Sequence, residues 1–472
     1  MSMAPATAQS PYLVGPFAPV RDEITVDALA VLGALPHDLH GMFVRNGANP
    51  RFAPKGRYHW FDGDGMVHGV HFQGGRASYR NRYVKTPGFL AEQEAGEALW
   101  SGIMERPDLS RRGGPFKDTG NTDLVFHAGR FMALWWLGGA CHQLSLPALE
   151  SLGVVDFGSP LKKGLAAHPK VDPVTGELMF FDYAQRPPYL TYGVISAEGA
   201  LVRQVPIALP GARLQHDIAI TARFTILMDL PLMWDAALLA QGKTRVRFDT
   251  ALPARFGIIA RHGDAGDLRW FEAKCCYMYH TINAWEEGDE VVLLGCRIEN
   301  PMPDRVSARV IPRLDILALE PYLYEWRFNM VTGAVKERQL DDTMTEFPRM
   351  NQEYLGRPSR YSYNPRVAPS SELLYDGVVA YDTLTGRQAS YTYGPGRYGG
   401  EVVFAPRDGA RDENDGYLVT FVNDAEKGQG ECVVLDARDV AAGPVARLCI
   451  PQQVPAGYHA WWVPSREFEA QP

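Results

Sequence analysis

The segment Cys276-Tyr-Met-Tyr-His280-Thr-Ile-Asn-Ala-Trp-Glu-Glu287-Gly288, followed by Asp289-Glu-Val-Val-Leu-Leu294, decides how the rest of the chain is read. An aromatic, β-prone run leads into a polar turn, and a second apolar run follows it, which is the pattern of a strand pair. His280 ends the aromatic run, where a rigid sheet would hold a metal ligand. A lone histidine at a strand end is more often a structural hydrogen-bonding group, so its meaning depends on what the other histidines do.

Working outward, the chain has 472 residues, of which 46% are hydrophobic and 22% charged. That is ordinary for a globular protein, and the length is ample for a core that needs no covalent staples. A net charge of -8 without any basic stripe excludes a nucleic-acid partner, because phosphate binding needs a dense cationic face. The Arg111-Arg112 and Lys162-Lys163 pairs are too short to make one. Met1 to Ser10 has neither a charged n-region nor an apolar h-region, and no apolar run reaches spanning length, so neither a signal peptide nor a membrane span is expected. Six cysteines, two of them adjacent and none in a Cys-x-x-Cys pair, suit neither a zinc site nor a disulfide ladder. The expected compartment is the reducing cytoplasm.

The 46 glycines and 35 prolines are spread along the chain and divide it into short strand-like runs. These are Leu124 to Trp136 around a His127-Ala128-Gly129 turn, Leu178 to Tyr183, Phe224 to Asp229, Val291 to Arg297, Glu401 to Ala405, Tyr417 to Val422 and Glu431 to Leu435. Helical patterns are confined to Gly88 to Met104 and Trp234 to Gln241. The fold class is therefore all-β. Asp172 to Gly176, Asn329 to Gly333 and Asp382 to Gly386 share the pattern Asp/Asn, any residue, Val/Leu, Thr, Gly, in which the Asx side chain caps a tight turn and glycine supplies φ > 0. Three such turns point to radially repeated sheets, as in a propeller, although their irregular spacing leaves stacked sandwiches open. No linker interrupts the chain, so residues 1–472 are expected to form one domain.

Several motifs fail on context. Gly394-Pro-Gly-Arg-Tyr-Gly399 fits the dinucleotide fingerprint but precedes a strand rather than opening a helix. Asp62-Gly-Asp-Gly65 lacks the remaining ligands of a calcium loop. Of the 12 histidines, His168, His216, His280 and His459 each adjoin an apolar or aromatic strand and lie far apart in sequence. They could meet only at a common axis, which a propeller provides. Four neutral imidazoles suit iron(II), with two octahedral positions left for small ligands, but spacing alone does not single these four out.

The resemblance to a known family does so. Gly41-Met-Phe-Val-Arg-Asn-Gly-Ala-Asn-Pro50, His59-Trp-Phe-Asp-Gly-Asp-Gly-Met-Val-His68, Arg80-Asn-Arg-Tyr-Val-Lys-Thr86, Ala167-His-Pro-Lys-Val-Asp-Pro173, His216-Asp-Ile-Ala-Ile220, His280-Thr-Ile-Asn-Ala-Trp-Glu-Glu287, Glu346-Phe-Pro-Arg349 and Gly457-Tyr-His459 follow one another along nearly the whole chain. In this the chain resembles the carotenoid cleavage oxygenase superfamily. The resemblance implies a seven-bladed β-propeller with a cap of loops and short helices, and Fe(II) held on the axis by His168, His216, His280 and His459. It also implies glutamates that orient the ligands through their far ring nitrogens, with Glu346 matching the partner of His280 and Glu401 that of His459. The glutamate expected for His216 is missing, and its place reads Trp135-Trp136-Leu137.

The implied reaction is insertion of both atoms of O2 across one C=C bond, giving two carbonyl products with no catalytic side chain beyond the metal site. Stilbene- and phenylpropenoid-cleaving members tend to carry Lys-Glu where this chain has Trp135 and Trp136, so these tryptophans are candidate pocket residues and the expected substrate is an apolar polyene of the apocarotenoid or carotenoid kind. Lignin-derived stilbenes, isoeugenol-like and vinylphenol-like alkenes are the alternative. A catalytically inactive propeller that only binds is the non-enzyme alternative. No protein partner is implied. The apolar segment Leu230 to Leu239 is a candidate surface patch for peripheral membrane contact beside a tunnel mouth.

Overall fold

The computed structural model describes residues 10–468, apart from 112, 160, 162–163, 236, 239–240, 242–244, 305–306 and 308. Its turns are built as the sequence motif requires. The Asp172 carboxylate accepts from the Val174 and Thr175 amides, Asn329 from Val331 and Thr332, and Asp382 from Leu384 and Thr385. Gly176, Gly333 and Gly386 follow with φ of 71°, 82° and 71°. Asp424 to Gly428 is a fourth turn of this kind, which the pattern misses because Glu426 and Lys427 stand in place of Val/Leu and threonine. The turns join different strand pairs within their sheets, which explains their irregular spacing.

Seven antiparallel blades result. The first contains Gly41–Arg45, Met66–Gln73 and Arg76–Tyr83, and the C-terminal strand Ala460–Pro464 pairs with Gly41–Arg45. The second runs from Asp123–His127 to Ser151–Val154, the third from Lys170–Val171 to Leu201–Ile207 and the fourth from Ala219–Ile220 to Arg269–Ala273. The fifth pairs Tyr277–Glu287 with Glu290–Ile298 and continues to Val335–Met344. The sixth holds Tyr361–Val367, Tyr375–Asp382 and Arg387–Thr392, with residues 345–349 bridged onto its inner edge. The seventh runs from Val403–Pro406 to Pro444–Ile450, and the N-terminal strand Ala30–Gly33 completes its outer edge. Arg397–Gly399 stitches the last two blades into one nine-stranded sheet. Both chain ends thus contribute strands to blades begun elsewhere in the sequence, which protects edges that would otherwise stay open.

The leading strands of neighbouring blades touch: Ala460–Pro464 lies against both Asp123–His127 and Val403–Pro406, and Ala219–Ile220 against Tyr277–Glu287. They therefore surround the axis. The α-helix described over its whole length is Pro87–Ala95, and Ala237 and Leu238, within the expected Trp234 to Gln241 helix, are helical as well. Thr86 caps the start of Pro87–Ala95, accepting from the Phe89 amide at 3.1 Å, and Gly96 ends it at φ 74°. That glycine cuts the expected Gly88 to Met104 helix short, because the left-handed C-cap cannot continue the spiral.

The expectations for Leu230 to Leu239 need correction. Leu232–Trp234 is a strand paired with Val246–Phe248, and Leu230, Leu232 and Met233 are buried, so this half of the segment packs inward and offers a membrane nothing. Ala236 and Leu239, with part of the expected Trp234 to Gln241 helix, lie outside the described residues, as do Arg112, Lys162 and Lys163. No helix among the described residues is long and apolar enough to cross a membrane.

Candidate metal centre

Each blade delivers one polar residue to the axis at or near the start of its innermost segment. In blade order these are His459, Asp123, His168, His216, His280, Glu346 and Glu401. The four histidines converge, with one ring nitrogen of each lying within 4.8 Å of the others. The His216 and His280 Nε2 atoms are 3.1 Å apart, and His168 Nε2 is buried without a hydrogen-bond partner. Converging lone pairs and an orphaned buried nitrogen are what a cation-binding site presents. Burial, and for each ring its histidine neighbours, hold His168, His216 and His280 well below the ordinary imidazole pKa, so these rings are neutral donors. The donor set fits a divalent metal of the iron(II) type, with room for further ligands.

Local structure aims each ring. Tyr277–Glu287 carries bulges between Met278 and Thr281 and again between Thr281 and Asn283, so the irregular stretch brackets His280 and turns it toward the axis. Gly295 lies opposite, where a Cβ would meet Met278 Sδ and would stand 3.1 Å from the His280 carbonyl oxygen. His168 has φ 70° and Phe347, beside Glu346, has φ 51°. Left-handed non-glycine residues of this sort cost of order 1–3 kcal/mol and persist where their surroundings hold them. For His459, the Asn46 amide donates to its carbonyl and its own amide donates to the Thr122 carbonyl.

The carboxylates complete the centre. His280 Nδ1 is 2.5 Å from Glu346 Oε2, and His459 Nδ1 is 3.0 Å from Glu401 Oε1. A proton held on Nδ1 leaves the Nε2 lone pair free for a metal. Burial pushes the Glu346 carboxyl up to about 8, and a metal's positive charge on the axis acts in the opposite sense. Burial also raises Glu401, but Arg349 at 3.0 Å and His459 outweigh it and bring that carboxyl down to about 2.

His216 is held differently. Among the described residues no carboxylate lies within ion-pair distance of its ring, which the tryptophans at 135 and 136 had foreshadowed. Its neighbour Asp217 instead clamps the backbone. That carboxylate accepts from Lys170 Nζ at 2.5 Å, from the Ile218 amide at 2.7 Å and from both the amide and hydroxyl of Thr281 at 2.8 Å. Tyr279 meets the His216 ring edge to face, with centroids 4.8 Å apart. Asp217 escaped the sequence reading, although its position directly after a candidate ligand is a signal that could have found it. Asp123, at the head of a strand, gave no such signal.

Trp136 and Trp135 part company. Trp136 stacks on Trp234 and tilts against Phe61, with centroids 6.4 and 5.2 Å away, and it lines a cavity of about 790 Å³. Phe61, Leu214, Trp234, Tyr279 and Leu317 share that wall; none of the four axial histidines lines the cavity, and Tyr279 stands between, packed on His216. His59 also faces it. Trp135 lies beside a separate, small pocket, and its carbonyl accepts from the Ala167 amide at 3.1 Å, so its backbone braces the segment that carries His168.

A propeller whose innermost strands bring four histidines and three carboxylates to one axial point defines a class of metal-dependent oxygenases. The model of the retinal pigment epithelial membrane protein (RPE65) family matches residues 17–464, and the chain belongs to that family, the carotenoid cleavage oxygenases. It is 40% identical to the carotenoid 9,10(9',10')-cleavage dioxygenase of Crocus sativus over 98% of this chain and 90% of the relative. Among solved structures it is similar to the lignostilbene dioxygenase of Pseudomonas brassicacearum, with TM-score 0.88 and 30% identity over 98% of this chain and 100% of the other. It is also similar to the apocarotenoid oxygenase of Synechocystis, with TM-score 0.82 and 26% identity over 94% and 97%. With the histidine cluster in place, the chain is an iron-dependent dioxygenase of this family, which removes the inactive-propeller alternative.

Proposed function

We propose that His168, His216, His280 and His459 hold Fe(II) through their axial ring nitrogens, that Glu346 and Glu401 orient His280 and His459, and that the enzyme cleaves one C=C bond of an apocarotenoid or carotenoid-like polyene. Carotenoid cleavage is the activity in the name of the 40% identical Crocus relative. When bound, Fe(II) supplies the binding and activation of O2. The chain's own residues keep the imidazoles neutral, fix their direction and seat the alkene. Both oxygen atoms end in the two carbonyl products, so no reductant is consumed. No side chain need act as acid or base, and positioning carries the protein's share of the rate.

The observation that carries the substrate reading is the wall of the 790 Å³ cavity. It is aromatic and aliphatic around Trp136, and among the described residues no lysine lines it, its cationic side chains being Arg57, Arg106 and Arg245. Its size and lining suit a long apolar ligand. The high TM-score to a lignostilbene dioxygenase favours a second reading, cleavage of a hydroxystilbene. A side-by-side assay decides: a long polyene aldehyde should give a kcat/KM well above that of a hydroxystilbene, and the reverse order would transfer the assignment. Iron removal should abolish both, with recovery on anaerobic addition of Fe(II).

We further propose that residues 1–472 form one propeller domain, supported by the shared sheet of Gly41–Arg45 and Ala460–Pro464. The enzyme is proposed to work in the cytoplasm, supported by six cysteines that are all unpaired.

A further inference from the structure

We propose that Asp123 is a third positioning carboxylate of the metal centre and acts on His168. Asp123 opens the innermost strand of the second blade, is buried, and lies beside the segment that carries His168. Its Oδ2 accepts from the His168 backbone amide at 2.9 Å, and the same oxygen lies 3.5 Å from His168 Nδ1. Its Oδ1 accepts from the Leu124 amide at 2.8 Å, and Arg349 Nη2 is 3.9 Å away. Two separate tasks meet in this one carboxylate.

The first is mechanical. His168 has φ 70° and precedes Pro169, and a residue before proline favours extended backbone. The amide bond to Asp123 holds that unfavourable conformation, as Glu346 does for Phe347, whose amide it also accepts. The second is electrostatic. A negative oxygen near Nδ1 favours the tautomer with its proton there and leaves the lone pair on Nε2. That Nε2 is the buried, unpartnered atom of the cluster. At 3.5 Å the pair is within ion-pair range but is not a hydrogen bond, so the amide contact sets the geometry and the charge sets the tautomer.

Three of the seven axial positions are thus carboxylates, and each serves the histidine of an adjacent blade: Glu346 for His280, Glu401 for His459 and Asp123 for His168. Arg349 joins two of them, donating to Glu401 at 3.0 Å while standing near Asp123. His216, flanked by histidine blades on both sides, has none.

The inference rests on the four-histidine iron reading, so metal binding is measured in the wild type and the variants together. The test is an anaerobic titration of metal-free protein with cobalt(II), followed by visible absorption, for wild type and Asp123→Asn. Asparagine keeps the shape and an acceptor for the His168 amide. It lacks the charge, so no negative oxygen holds the proton on Nδ1, and the tautomer protonated at Nε2, which cannot bind metal through that atom, gains population. Asp123→Asn should weaken cobalt affinity about 10- to 100-fold and shift the ligand-field bands while the melting temperature stays close to wild type. Wild-type affinity with an unchanged spectrum would reduce Asp123 to a backbone cap and overturn the proposal. Should Asp123→Asn not fold, Asp123→Glu against Asp123→Gln poses the same question at constant length. If the glutamate variant binds no tighter than the glutamine variant, the charge is irrelevant and the proposal fails. A wild type that binds no metal at all would instead refute the iron reading.

Discussion

Replacing Trp136 by alanine tests whether the apolar wall selects the substrate. The indole is buried, with Trp234 and Phe61 as its aromatic neighbours, and its Nε1 has no hydrogen-bond partner. Its loss therefore removes packing and no polar contact. A buried tryptophan covers about 150–250 Å². If roughly 80 Å² of that faces the ligand, at about 25 cal/mol per Å² the lost contact is worth roughly 2 kcal/mol. That is about a 30-fold fall in kcat/KM for a long polyene. Trp136→Phe keeps most of the area and should stay within about threefold of wild type. Stability should also fall, by about 3 kcal/mol, the low end for an aromatic truncation because one side already borders a cavity. The assay is aldehyde formation from a long polyene, run with thermal unfolding of each variant. A Trp136→Ala enzyme with a lowered melting temperature but wild-type kcat/KM would show that the indole is core alone and that the wall argument is wrong.

Other residues give sharper but narrower tests. Asp217→Asn removes the charge facing Lys170 and should lower the melting temperature by several degrees, since breaking a buried pair costs about 3–5 kcal/mol; an unchanged melting curve would mean that His216 is not held through this clamp. Gly295→Ala should reduce iron content at full occupancy conditions, because its Cβ would press on Met278 and the His280 carbonyl; metal analysis after anaerobic reconstitution reads this directly. His59 is pushed down to about 3 by burial, below its ordinary 6.5. A base with a depressed folded pKa leaves stability intact above pH 6.5 and loses it as pH falls from 6.5 toward 3, because only the unfolded chain takes up the proton. His59→Asn, which retains a capping side chain for the Trp60–Asp62 turn, should make the pH dependence of the melting temperature shallower over that interval, the other depressed histidines supplying what remains.

Much of the architecture was legible before any coordinates. Alternating apolar runs and Asx-glycine turns are local devices, and local chemistry survives being read one segment at a time. The strand at Leu178–Tyr183 and that at Phe224–Asp229 fall where their patterns place them. The family motifs carry the histidines and the Glu346 and Glu401 positions for the same reason, since each motif is a contiguous string. The helix expected to reach Met104 ends at Gly96 because one left-handed residue overrides a favourable run. Of the candidate surface patch Leu230 to Leu239, the part from Leu230 to Met233 is core, because hydrophobicity alone does not tell which apolar segment has a sheet above it.

The His280 segment by itself determined a strand pair and one candidate ligand. What made that ligand part of a metal centre was decided only by closure of the ring, which brings together residues from position 123 to position 459 in seven different blades. Asp123 beside His168, Asp217 clamped across to Thr281, and the parting of Trp136 from Trp135 all depend on distances between blades. No local pattern encodes them: blade-to-blade packing sets which side chain meets which across the axis, and the ring closes where Ala460–Pro464 pairs with Gly41–Arg45.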